Sequence, residues 1–294
     1  MNWEVECQKI SRGIRERVLE HTINHGGYLS QACSSAEIFS ILYNKSMKLG
    51  PSEGLFSTHK FEGTPSVNNP HPQKGFLYNG AKNPDLDRFF LSPSHYALTL
   101  YAALIETKRL NDKSLKEFNK DGSVLDMIGS EHSPGHETNG GSFGQTISQA
   151  AGVAWARRRK KEKGLVWLFL SDGEFQEGQT WEALMSMAFH KISNLKIVVD
   201  VNGQQVDGKT CDVMNLEPLL EKISSFGACV KQVDGHDLVA LNNAFRTIHQ
   251  DKPLVVLAKT SPFRGMEILE KRYPFLHYVR SVSYTHLTLP TTYG

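Results

Sequence analysis

Apolar residues recur along this chain with two periods, and the change of period divides it. Between Trp3 and Glu20, Ile10, Ile14, Val18 and Leu19 fall roughly on one side of a 3.6-residue turn, which predicts an amphipathic helix. Ser34-Ser35-Ala36-Glu37 predicts the start of a second helix, with Ser34 as its cap and Glu37 three residues on. Residues 49–84 carry five prolines, which predicts a long surface loop. A helix is expected over Tyr96–Lys108 and another over Thr146–Arg158, the latter with Ile147, Ala150, Ala151, Ala154 and Trp155 on one face. Short continuous apolar runs then take over. Leu165–Leu170, Leu195–Val201, Cys229–Val233 and Leu254–Lys259 read as strands. Helical spacing separates them at Thr180–His190, Glu217–Phe226 and Leu238–His249, with Trp181, Leu184, Met185, Ala188 and Phe189 expected on one buried face. Strands alternating with helices predict an α/β fold: a mainly parallel open sheet with helices on both faces.

Composition narrows the function classes. The chain has 294 residues, 22% of them charged, and a formal net charge of +2. That suits a folded chain with a core of its own and gives no broad basic field for nucleic acid. The basic run Arg157–Lys161 reads as a solvated helix end. Cys7, Cys33, Cys211 and Cys229 lie far apart, with no CxxC pair, which argues against a disulfide framework or structural zinc and fits a reducing, cytoplasmic setting. No apolar run approaches the roughly 20 residues of a membrane span, and Glu4 and Glu6 are out of place in a signal peptide. The segment 281–294 has no acidic residue, lysine or arginine and no helix period. It reads either as a foreign translated end or as an ordinary terminus, so the expected domain is residues 1–277.

The chemistry concentrates between Leu168 and Gly208. One predicted strand ends in Ser171-Asp172-Gly173 and the next in Asp200-Val201-Asn202-Gly203. Asp172 and Asn202 thus reach the carboxyl edge of the sheet, where open α/β sheets bind ligands. A carboxylate, an amide oxygen and a nearby backbone carbonyl, with Gln204 as the third candidate, form half a shell of hard oxygen donors. Mg²⁺ takes such donors and completes its six from phosphates and water. Gly173 lets backbone approach the ligand closely. Taken alone, Asp172 and Asn202 also suit ordinary turns.

This segment resembles the thiamine-diphosphate motif, and its surroundings resemble the N-terminal domain of transketolases. Five stretches follow in the family's order: Arg88-Phe89-Phe90-Leu91-Ser92-Pro93-Ser94-His95, Ser133-Pro134-Gly135-His136, Gly141-Ser142-Phe143-Gly144-Gln145, Glu177-Gly178 with Trp181-Glu182-Ala183, and Ala258-Lys259-Thr260. The resemblance implies thiamine diphosphate and Mg²⁺ as cofactors. It implies roles for His95 at the diphosphate, His136 on the reacting side, Gly141, Ser142 and Phe143 at the aminopyrimidine, and Glu177 and Glu182 at a subunit interface near the cofactor. The family's late histidine maps to His277 if the chain carries an insertion after Thr260.

Three departures shape the expectation. Ser171 stands where the motif has its first glycine. Tyr28, with His25 just upstream, stands where the family has an early histidine, and a tyrosine donates a hydrogen bond without shuttling protons near neutral pH. Nothing after Thr260 is long enough for the pyrimidine-binding and C-terminal domains of a transketolase. The resemblance therefore implies the N-terminal subunit of a two-chain enzyme that transfers a two-carbon ketol unit between sugar phosphates. A C-terminal subunit would be its partner, two copies of each forming a heterotetramer. Two alternatives stay open: half of another thiamine-diphosphate enzyme, such as a pyruvate carboligase or a 2-oxoacid dehydrogenase, and a non-catalytic cofactor-binding module.

Overall fold

The computed structural model describes residues 2–279 apart from Thr58 and Pro274; the expectation for 281–294 lies outside the described residues. Five parallel strands form the central sheet: β1 (Arg88–Leu91), β2 (Val166–Ser171), β3 (Leu195–Val201), β6 (Cys229–Asp234) and β7 (Leu254–Lys259), in the order β1-β2-β3-β7-β6. β4 (Gln204–Gln205) and β5 (Gly208–Lys209) make a small separate ribbon. Strand alternation sorts the apolar side chains into two cores. Trp167, Phe169, Val198 and Val256 face one way, with α1 (Trp3–His25), α2 (Leu29–Ile41), α3 (Ala97–Glu106) and α8 (Leu238–Phe245). Leu168, Leu170, Ile197, Val199 and Leu257 face the other, with α4 (Gln145–Arg159), α5 (Gly178–Phe189) and α7 (Leu219–Ser225). A four-residue helix, α6 (Thr210–Val213), follows the ribbon. The α/β expectation is met, helices on both faces included.

Register aligns the sheet's working edge. Ser171 pairs with Asp200, and Asp200 with Ala258, so β2, β3 and β7 end side by side. The strands expected from apolar runs form within a residue of their predicted bounds. β1 falls inside the Arg88–His95 stretch; it is a four-residue edge strand, too short to show a period.

Three expectations change. α2 starts at Leu29, and every one of its 13 residues is buried. Ser34 is therefore no cap. Its hydroxyl donates to Asp200 Oδ2 at 2.5 Å across the helix–sheet contact. α5 is turned so that Thr180, Ala183, Leu184 and Met187 face the core, while Met185 and Phe189 are 55% and 82% exposed. Both stripes have helical spacing, and packing on the sheet selected the one with the smaller residues. Arg157 is buried rather than solvated, donating to the carbonyls of Asn83, Pro84 and Leu86. The expected 49–84 loop is irregular apart from a 3-10 turn at Gly75–Asn79.

A buried ionic contact ties the first two helices to the sheet. Glu37 accepts from Arg15 Nη1 at 2.7 Å and from His236 Nδ1 at 3.0 Å. Ser261 N donates to His236 Nε2 at 2.9 Å, which places the imidazole proton on Nδ1. Burial by itself would raise the Glu37 pKa, but the bonds from His236 and Arg15 overcome it and hold the carboxyl at about 2. A depressed carboxyl stabilises the fold above its unfolded value near 4.5 and loses that contribution as pH falls toward 2. The shift is worth on the order of 3 kcal/mol. Glu37→Gln should lower the urea midpoint at pH 7 and flatten its decline between pH 4.5 and 3. A decline as steep as the wild type's would show that Glu37 does not carry it.

Candidate active site

Asp172 leaves β2 and opens a 3-10 turn, Asp172–Gln176. Ser171 before it has φ −108° and ψ 161°, an extended conformation that a serine adopts without strain. Its side chain accepts from the backbone N–H of Glu174, while the Glu174 carboxylate accepts from Ser171 N. The serine in place of glycine is thus a helix-turn cap and leaves the strand end intact.

The Asp172 carboxylate is fixed by three donors: Gly173 N at 2.9 Å, Gly203 N at 3.0 Å and Thr210 Oγ1 at 3.2 Å. Burial and the nearby charge of Asp200 push its pKa up to about 7. Both effects disfavour a lone anion there, and a cation would relieve both. Asn202 is held by its amide nitrogen, which donates to Tyr96 Oη at 3.1 Å and Asp200 Oδ2 at 3.2 Å. Its amide oxygen accepts from Gln204 N at 2.9 Å. Gln204 Oε1 is buried without a hydrogen-bond partner, which favours an additional donor or a cation at that position.

The sequence reading missed the residues that orient this set. Asp200 is fully buried and accepts from Ser34, Tyr96 Oη at 2.8 Å, Asn202 and Thr260. Burial raises its pKa, the four hydrogen bonds opposing that. A buried carboxylate two positions before Asn202 in an apolar strand was the available signal.

These groups open into a cleft of about 360 Å³. His95 and His277 line it with Tyr28, and Gly141 and Phe143 form the facing wall. The His95 ring packs against Tyr96 at 4.8 Å, His277 at 5.0 Å and Tyr28 at 5.5 Å between centroids. Burial, then the neighbouring His277, lowers the His95 pKa to about 3. Burial likewise lowers His277 to about 4. Both rings are therefore neutral at physiological pH, each with one donor and one acceptor nitrogen. Burial and the neighbouring Tyr278 raise the Tyr28 pKa, so its hydroxyl stays protonated. His25 is absent from the lining and stacks instead on His21, 4.9 Å away. Gly140 sits where a Cβ would fall 2.2 Å from Ser94 Oγ and 2.8 Å from the Ser92 carbonyl, so only glycine lets the wall close on the sheet edge.

Four expected site residues are absent from the lining of this cleft. His136 is buried and outside the lining, beside Tyr101 at 6.0 Å, with Nδ1 3.2 Å from Pro134 O. The PGH segment folds inward as a turn, and a Cβ on Gly129 would strike the His136 ring. Ser142, between Gly141 and Phe143 in the wall loop, is exposed and outside the lining. Glu177, just before α5, and Glu182, on it, are exposed.

Among the described residues, no lysine or arginine lines the cleft, and Asp172 and Asp207 do. That lining favours an anion that enters with a cation of its own.

Residues 75–266 match the family model for "Transketolase, thiamine diphosphate binding domain". The chain belongs to the transketolase family. It is 35% identical over 265 residues to a transketolase family protein of Sinorhizobium fredii, covering 87% of this chain and 85% of that one. It is 27% identical to an apulose-4-phosphate transketolase subunit of Actinobacillus succinogenes, covering 93% and 91%. A solved transketolase from Campylobacter jejuni superposes with a TM-score of 0.68 at 22% identity. That likeness is one of fold, and it covers 88% of this chain but 38% of the other. This transketolase-family chain therefore carries the thiamine-diphosphate-binding domain and spans little more than a third of that solved enzyme. Among its described residues no helix is long and apolar enough to cross a membrane.

Proposed function

We propose that this chain is the diphosphate-binding subunit of a cytoplasmic two-chain transketolase, holding Mg²⁺–thiamine diphosphate for ketol transfer between sugar phosphates. The observation that carries this reading is the pairing of Asp172 with Asn202 and Gln204 at the sheet edge, in a cleft lined, among the described residues, by carboxylates and neutral donors but no lysine or arginine. Asp172, Asn202 and Gln204 would hold the metal, and the metal would carry the diphosphate. Neutral His95 and His277 offer nitrogen donors that do not compete with the cation for charge. Gly141, Phe143 and Gly173 would bound the cofactor. When bound, thiamine diphosphate supplies the carbon nucleophile and the electron sink for cleaving a ketose carbon–carbon bond. The residues here would position it and exclude water. His136 is left out of this set because its ring is enclosed.

A partner supplying pyrimidine-binding and C-terminal domains would cover the cleft. Ile128 and Val206 on its rim are 45% and 66% exposed, and Trp155, Met185 and Phe189 expose further apolar surface on α4 and α5, with Glu177 and Glu182 nearby in sequence. Exposed apolar surface of this kind marks an interface. Titration calorimetry of the purified chain with thiamine diphosphate should show binding with Mg²⁺ and none after chelation. Equal affinity with and without the metal would overturn the metal-carried reading.

A further inference from the structure

Glu174 lies two residues past Asp172, is completely buried, and has no place in the proposed metal set. Three chain segments converge on its carboxylate. Oε1 accepts from the Ser92 hydroxyl, just after β1, and from Gly144 N, at the entry to α4, at 3.5 Å. Oε2 accepts from Ser171 N, at the end of β2, at 3.2 Å. The wall loop is tied at its other end as well, where Gly141 N meets the Ser92 carbonyl at 3.4 Å. A third tie runs from the Glu174 carbonyl, which accepts from Thr180 Oγ1 of α5 at 2.7 Å. Gly144 is left-handed, with φ +78°, and a Cβ on it would fall 3.0 Å from Glu177 Cβ, so this loop also abuts the start of α5.

We propose that Glu174 is a positioning residue that latches the Gly140–Gly144 loop to the sheet edge and so preforms the cleft wall carrying Gly141 and Phe143. Two acceptor oxygens against three donors is a requirement that a carboxylate meets and an amide does not. A glutamine in its place turns an NH₂ toward at least one N–H or O–H donor. Losing the carboxylate altogether leaves buried backbone N–H groups unpaired, which the loop relieves by opening toward water. The latch connects the wall to β2, the strand that delivers Asp172, so both sides of the cleft share one frame. This inference rests on the reading of the cleft as the cofactor site, but the latch itself can be tested without cofactor.

Hydrogen exchange of the cofactor-free chain supplies the test. Glu174→Met should speed exchange at Gly141 and Gly144 by ten- to a hundredfold or so. Glu174→Gln and Ser92→Ala, which each leave part of the latch, should give smaller increases. The amides of Val198 and Val199 in β3 should stay protected in all three. The Mg²⁺–thiamine diphosphate affinity should fall in the same order, and saturating cofactor should restore loop protection. Unchanged exchange at Gly144 would refute the latch. Acceleration that includes β3 would also refute it, because Glu174 would then be a general structural support. Should Glu174→Met fail to fold, Glu174→Gln and Ser92→Ala decide by the same readings. A wild-type chain that binds no cofactor would sink the proposed function, while the exchange rates would still decide the latch.

Discussion

Asp172→Ala should abolish Mg²⁺-dependent binding of thiamine diphosphate. Asp172 is the only charged member of the proposed metal set, and its neighbours make it ready for a cation. It is buried, it sits close enough to Asp200 for the two charges to disfavour one another, and its pKa stands near 7. Removing one partner of a buried charge pair typically costs about 3–5 kcal/mol, which is more than a hundredfold in affinity. Alanine also deletes the acceptor for Gly203 N and Thr210 Oγ1. Asp172→Asn is therefore the sharper variant, since an amide oxygen can keep those two bonds while the charge is lost. Calorimetry should find both variants without measurable Mg²⁺-dependent binding. Asn202→Ala should weaken binding less, because water can replace a neutral amide oxygen. Wild-type affinity in Asp172→Asn would refute the assignment of Asp172 to the metal.

The second large effect concerns assembly. The chain alone should show no ketose-to-aldose transfer, and a partner of about 300 residues, two domains of usual size, should restore it. The cleft is walled by the sheet edge, the Gly140–Gly144 loop and the His95–His277 pair, with exposed Ile128 and Val206 on its rim. A cofactor bound there without a cover would keep its reacting ring in water, where electrostatic positioning is weak. Adding the partner should tighten cofactor binding together with the gain in activity. Sedimentation should give the mass of an assembly with two copies of each chain, as expected for a closed two-fold oligomer. Phe189→Asp, on exposed α5 surface, should weaken that assembly and leave the fold intact. Pyruvate offered in place of a ketose phosphate separates the transketolase reading from a carboligase. Full transfer activity in the chain alone would refute the two-chain proposal.

The sequence by itself determined the fold class, the central strands and the strand ends where the candidate site lies. β2, β3 and β7 are continuous apolar runs because both faces of a parallel sheet are covered, and that burial is written locally. Asp172 and Asn202 were legible for the same reason: each follows a strand directly, so the strand's end places it. Tertiary structure decided everything that depends on contacts between distant segments. Ser34 looked like a helix cap because its neighbours have capping chemistry, but its hydroxyl reaches Asp200, 166 positions away. α5 offered two stripes of helical spacing, and the packing of Ala183, Leu184 and Met187 against the sheet chose between them. His136 carries a recognisable motif, yet the turn around it folds the ring into the core. Ser171 and Glu174 have the local spacing of a capping box, but the partners that tie Glu174 to the loop, Ser92 and Gly144, are 82 and 30 positions off along the chain. A hydrophobic period records which face of an element is covered; it carries no record of which buried polar groups meet once the elements pack, and in this chain those meetings shape the cleft.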